Sequence, residues 1–166
     1  MKKLLVPLAA ALAVPAAAVA GTVAPDPNTR IELAAAACQS ALPVFDGVIR
    51  KRPMAVQNEG TSSSFITCGL EGRFYAVPSS SMVGVLVTNN TAQAATLNCT
   101  LVDGGDGLMF PVYMPKSVNL GPNAATVTVS WQPGDNGGAN FIYPAISCQL
   151  PPGIGIKAIF QQFIAS

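Results

Sequence analysis

The chain is 166 residues long, with nine basic against eight acidic side chains, only 10% charged residues and no histidine. So even a balance gives no electrostatic reason to expect nucleic acid or an anionic membrane as partner. The missing histidine removes the commonest general base and metal ligand, and with them every Ser-His or Cys-His arrangement; no cofactor is expected.

Met1-Lys2-Lys3 opens the chain, an apolar run follows from Leu4 to Ala13, and Ala18-Val19-Ala20 has the small-x-small form that a signal peptidase reads. Residues 1–20 therefore read as a leader cut after Ala20, which places the mature protein in the periplasm or the medium of a bacterium. Pro7 and Pro15 interrupt the run, and it is shorter than the ~20 apolar residues that a spanning helix requires. Every later apolar run is short or broken by Gly, Pro, Asn or charge, so no membrane span is expected. Cleavage would leave 146 residues with 7 basic and 8 acidic, the size of one domain.

Residues 21–43 read as an N-terminal arm, with Pro25 and Pro27 in its lead-in. Thr29-Arg30-Ile31-Glu32 has the form of a capping box ahead of an alanine run, which suits a short helix over about residues 30–37. An extended arm leading into Cys38 suits the same residues equally, because so short a helix is marginal alone.

Residues 44–166 read as a β-sandwich domain, since from Val44 onward the apolar period is two. Arg50-Lys51-Arg52 is the one basic cluster, a solvated strand end or turn in preference to an anion site. The triplets Ser62-Ser63-Ser64 and Ser79-Ser80-Ser81 read as loops; neither G-x-S-x-G nor Ser-x-x-Lys occurs to make a nucleophile of them. Val83, Val85 and Val87 alternate with Gly84, Leu86 and Thr88, a strand buried on both faces or nearly so. Pro111 and Pro115 demote the stretch around Tyr113 to an edge strand or loop. Val127, Val129 and Trp131 share a face, so Trp131 is expected in the core with its indole N–H paired. Ile154, Ile156, Ala158 and Phe160 are expected to share a face at the C-terminus. Turn-rich clusters of Gly, Pro, Asn and Asp separate eight or nine strands. The pattern is that of an all-β, two-sheet antiparallel β-sandwich, immunoglobulin-like or jelly-roll.

Cys38, Cys68, Cys99 and Cys148 contain no C-x-x-C pair, and an even count behind a leader reads as two disulfides. Ile66-Thr67-Cys68-Gly69-Leu70, Leu97-Asn98-Cys99-Thr100-Leu101 and Ile146-Ser147-Cys148-Gln149-Leu150 share one pattern, in which the apolar residue, the cysteine and the leucine face inward together. Of the three pairings available, the sequential one, Cys38–Cys68 with Cys99–Cys148, is preferred.

The remaining candidates are ligand-binding residues. Asp103 and Asp106, with Asp135, lie in Gly-rich turns where carboxylates bind calcium in other proteins, but the spacing completes no oxygen-ligand loop and metal sites are not expected. Of Tyr75, Tyr113, Tyr143 and Trp131, the two near prolines and loops, Tyr113 and Tyr143, are the better candidates for stacking on a sugar. These features favour an exported non-catalytic sandwich with a structural, adhesive or binding role and a protein or glycan partner. The alternative is a carboxylate-dependent hydrolase or lyase acting on an envelope or extracellular polysaccharide, for which the chain offers few convergent titratable groups.

Overall fold

The computed structural model describes residues 27–45, 47–70, 79–104, 110–124 and 126–164. The leader, the first residues of the arm, Asp46, Tyr75 and Asp106 lie outside the described residues.

Eleven strands are present among these residues: β1 (Thr29–Leu33), β2 (Cys38–Ser40), β3 (Ile49–Arg52), β4 (Ala55–Asn58), β5 (Ser64–Gly69), β6 (Ser80–Asn89), β7 (Ala95–Asp103), β8 (Val112–Leu120), β9 (Val127–Trp131), β10 (Ala145–Leu150) and β11 (Ile154–Phe163). One sheet has the order β3-β4-β11-β6-β9, with β1 alongside the second half of β11; the other has the order β2-β5-β10-β7-β8. Every pairing is antiparallel, and the protein is a two-sheet β-sandwich. The strand count exceeds the expected eight or nine because short, charged or alanine-rich segments before Cys68 also pair. Thr29 begins a strand instead of capping a helix, and the helix shrinks to one turn, Ala34–Ala37. Ser64, Ser80 and Ser81, read as loop residues, open β5 and β6.

The core lies between the sheets. Ile66, Leu97, Leu101, Ile146 and Leu150 face Val83, Val85, Val87, Ile154 and Ile156, all fully buried. Burying one such side chain contributes about 1.5–3 kcal/mol, so these alternating faces supply most of the drive to fold. Trp131 is fully buried as expected, and its Nε1 donates to the Met114 carbonyl at 2.8 Å. β8 is an edge strand, which is how it tolerates Pro115.

Both sequential disulfides form, each joining residues directly opposite one another on neighbouring strands: Cys38–Cys68 links β2 to β5 and Cys99–Cys148 links β7 to β10. All four cysteines point inward from one sheet, and neither bond crosses to the other.

The expectation for the last strand is corrected by a β-bulge. Ile156 lies opposite Val87 and Ala158 opposite Leu86, so Lys157 is the extra residue. Beyond it every side chain changes face: Ile159 takes the inward place opposite Val85, and Phe160 turns outward opposite Gly84. A Cβ on Gly84 would lie 2.4 Å from the Phe160 ring, so only glycine lets the ring lie flat on the sheet.

Two buried asparagines tie the sheets together at one end. Asn58 of β4 donates from Nδ2 to the Ser62 and Leu150 carbonyls, each at 2.8 Å, and accepts from Gly60 N at 2.9 Å. Asn89 of β6 repeats the device, donating to Gln93 O and Gly121 O at 2.8 Å and accepting from Thr91 N at 2.9 Å. Each side chain closes its own turn while reaching the end of a strand in the opposite sheet.

The rim beside Trp131 carries an ion pair. Asp135 Oδ2 accepts from Lys116 Nζ at 2.8 Å and from Gln132 N at 2.9 Å, and Nζ lies 5.8 Å from the Trp131 ring centroid. The Lys116 hydrogen bond, then the Gln132 amide, hold the Asp135 carboxyl below its usual range. A depressed folded-state pKa means that the pair stabilises the fold at neutral pH and that this contribution is lost as pH falls through that pKa. Asp135→Asn is therefore expected to lower the melting temperature slightly at neutral pH and to match the unsubstituted protein once the pH lies below that lowered pKa. The difference should stay under about 1 kcal/mol, because both side chains are about one-third exposed.

Candidate functional site

The outward face of the β2-β5-β10-β7-β8 sheet is defined by the same alternation that buries the cysteines. Register places Tyr113, Val102, Ala145 and Gly69 in one row across β8, β7, β10 and β5. Two residues along, the row is Pro115, Thr100, Ser147 and Thr67, continued by Gln39 on β2. Ser117, Asn98, Gln149 and Phe65 make the third row, and Asn119 with Thr96 the fourth. All of these residues reach solvent, and none is charged. From strand spacing and rise the face measures about 20 Å by 20 Å.

Its polar groups are partly oriented in advance. Ser117 Oγ donates to Asn98 Oδ1 at 2.6 Å, and Thr96 Oγ1 donates to Asn119 Oδ1 at 2.9 Å. With each amide oxygen occupied, these two exposed asparagines keep their amide nitrogens as donors. The disulfides stiffen this sheet from beneath, since Cys99 and Cys148 alternate along their strands with Asn98, Thr100, Ser147 and Gln149.

Of the four ligand-binding candidates, Tyr113 lies on this face, Tyr143 precedes β10, which contributes to its first row, and Asp103 points inward at that end. Tyr113 is 65% exposed and opens the first row. Asp103, at the end of β7, is buried and structural: its Oδ1 accepts from Ile142 N at 3.0 Å and Tyr143 N at 2.8 Å. It thereby fixes the backbone of Tyr143, which is half-buried two residues before Ala145. Asp106 lies outside the described residues. Sequence reasoning did not single out the exposed aromatic Phe65 or the uncharged rows, although the signal was there: Thr67, Asn98, Thr100, Ser147 and Gln149 alternate with the cysteine pattern and none carries charge.

The described acidic groups do not converge. Glu32 pairs with Arg30 at 2.6 Å, Glu59 takes a bidentate contact from Arg52 at 2.8 and 2.9 Å, and Asp135 holds Lys116. Among the described residues no group of three Cys, Asp or Glu side chains could hold a metal ion. Arg50 and Arg52 of the basic cluster both approach Glu59. Lys51 instead lines a cleft of about 430 Å³ with Gln39, Ser40, Pro43 and Ile49, at the β2 border of the uncharged face. No helix among the described residues is long and apolar enough to cross a membrane.

No protein-family model matches the chain, and no curated protein sequence does. Solved structures resemble it at low identity. The GH26-CBM35 β-(1,4)-mannanase of Podospora anserina is 13% identical with a TM-score of 0.45, covering 84% of this chain. The chain spans 28% of that enzyme's length. A CBM4 structure is 13% identical with a TM-score of 0.37, over 84% of this chain and 86% of its own. TmCBM61 in complex with β-1,4-galactotriose is 11% identical with a TM-score of 0.37, over 81% and 85%.

Proposed function

We propose that the protein is an exported, non-catalytic β-sandwich that binds a neutral glycan along the outer face of its disulfide-bearing sheet. The observation that carries this reading is a four-row face without a single charge, whose second to fourth rows are dominated by hydroxyls and amides. A neutral polysaccharide presents many hydroxyls and no ion. A face of Thr, Ser, Asn and Gln matches it donor for acceptor, whereas an anionic polymer would leave its charges unpaired there. Each hydrogen bond contributes only about 0.5–1.5 kcal/mol net, so affinity grows with the length of chain engaged. Tyr113 and Phe65, near opposite corners, supply apolar surface for sugar rings at the ends of that path. Among the described residues Glu32, Glu59 and Asp135 are paired with basic side chains and Asp103 accepts from backbone amides, so none of these carboxylates is poised as a general acid or base, which supports a binding role over hydrolysis.

Electrophoretic retardation in gels containing a neutral β-glucan, a neutral mannan or a uronate polymer tests this. Retardation by at least one neutral polymer and none by the uronate is expected. Ser147→Asp, which puts a charge at the centre of the face, should weaken binding at least about tenfold, and Tyr113→Ala by a few-fold. Equal binding of the uronate, or a Ser147→Asp protein that is folded and binds as before, would reject the face as the site.

A further inference from the structure

We propose that the open edge of β1 is a homodimer interface, in which two copies pair their β1 strands antiparallel about a two-fold axis through Ile31. β1 hydrogen-bonds to β11 on one side, and no described strand lies on the other. The bond from Phe163 N to Asn28 O marks the Asn28–Phe163 pair as hydrogen-bonded, and antiparallel alternation then turns Arg30 and Glu32 towards β11. The N–H and C=O of Ile31 and Leu33 consequently point to the edge that no described strand covers.

The side chains fit the same arrangement. Ile31 is 63% exposed and Leu33 55%, beside Phe160 and Ala158 on the outer face of their sheet. An exposed apolar edge strand is a pairing template unless charge blocks it. The two charges here do not block it, because they are opposite in sign and symmetric about Ile31. When Ile31 faces the partner's Ile31, Arg30 faces the partner's Glu32 and Glu32 the partner's Arg30. These are non-hydrogen-bonded positions, where side chains approach most closely. The ion pair that Arg30 and Glu32 make within one chain, half-exposed at 2.6 Å, thus becomes a four-charge ring. Sliding either strand by two residues in either direction sets Arg30 against Arg30 or Glu32 against Glu32, so charge also selects the register. The isologous geometry closes on two copies.

Sedimentation of protein expressed from the full chain, followed against concentration, tests the proposal. A reversible monomer–dimer equilibrium is expected, weakened at least about tenfold by either Arg30→Glu or Glu32→Arg alone. The double variant Arg30→Glu/Glu32→Arg should dimerise like the unsubstituted chain. An equimolar mixture of the two single variants should form a heterodimer, since one strand then carries two arginines and the other two glutamates. Circular dichroism establishes that each variant is folded, and the double variant keeps the test decisive if a single one is not. A chain that stays monomeric up to about 1 mM, or a dimer indifferent to these substitutions, overturns the proposal.

Discussion

Replacing Cys99 and Cys148 together by alanine will lower the unfolding free energy by about 4 kcal/mol, and replacing Cys38 with Cys68 will lower it by about 3.5 kcal/mol. The values follow from the loops closed, of sequence separation 49 and 30, whose release enlarges the unfolded ensemble. The two loops do not overlap along the chain, so the losses should add to about 7.5 kcal/mol, half or more of the ~5–15 kcal/mol that stabilises an ordinary domain. Urea titration measures this directly. Both the midpoint and the steepness should change, the steepness rising because a chain without cross-links exposes more surface when unfolded. A reduced but otherwise intact protein should behave like the fourfold alanine variant. A loss below about 1 kcal/mol for either pair would show that the unfolded chain stays compact without its bonds.

Asn89→Ala is the point substitution expected to cost most, about 3 kcal/mol or more. It strips the donor from the carbonyls of Gln93 and Gly121 and the acceptor from Thr91 N in a site with 1% exposure. Each polar group left unsatisfied in such a site costs about 1–3 kcal/mol. Asn89→Asp separates the causes. The shape is kept, yet an ionised carboxylate would face two carbonyl oxygens and offer no proton. Those oxygens and the burial raise its folded-state pKa above the unfolded one. Stability in that variant is therefore fully present at acid pH and lost as pH rises through the raised value. Thermal melts should show Asn89→Asp gaining on the unsubstituted protein between neutral pH and about pH 4. An Asn89→Asp protein as stable at neutral pH as the original would mean that these hydrogen bonds contribute nothing net. Asn58→Ala, with one carbonyl of its own turn and one on β10, should follow the same pattern.

The sandwich and the inward set of its cysteines were legible because they rest on period two, whereas which cysteine meets which depends on strand order, and the sequential pairing was a preference among three. Ile66 to Leu70, Leu97 to Leu101 and Ile146 to Leu150 each place a cysteine on the buried side, and cysteines that point inward from neighbouring strands meet. What alternation cannot carry is an interruption in itself. Lys157 lies between Ile156 and Ala158 in a run that reads as one continuous face, and only its pairing with β6 shows that Phe160 has crossed to the outside. The early strands were hidden for another reason. Arg30, Glu32 and the Arg50-Lys51-Arg52 run sit on edges, where one face and one row of backbone groups meet water and no apolar period is required. The proposed binding face was hidden by its blandness. Its character lies in a charge missing from several strands at once, which emerges only when register sets Thr67, Thr100 and Ser147 side by side.

The order of the two sulfur bonds along the chain bears on how the molecule matures. In a chain threaded outward from its N-terminus, Cys38 and Cys68 would both be clear of the pore before Cys99 appears. The first thiol to find a mate would then find the right one, and the second couple would meet with no rival left. Oxidation in order of emergence would suffice, and an enzyme that reshuffles mismatched bonds should speed renaturation from the fully reduced state far more than it speeds biogenesis.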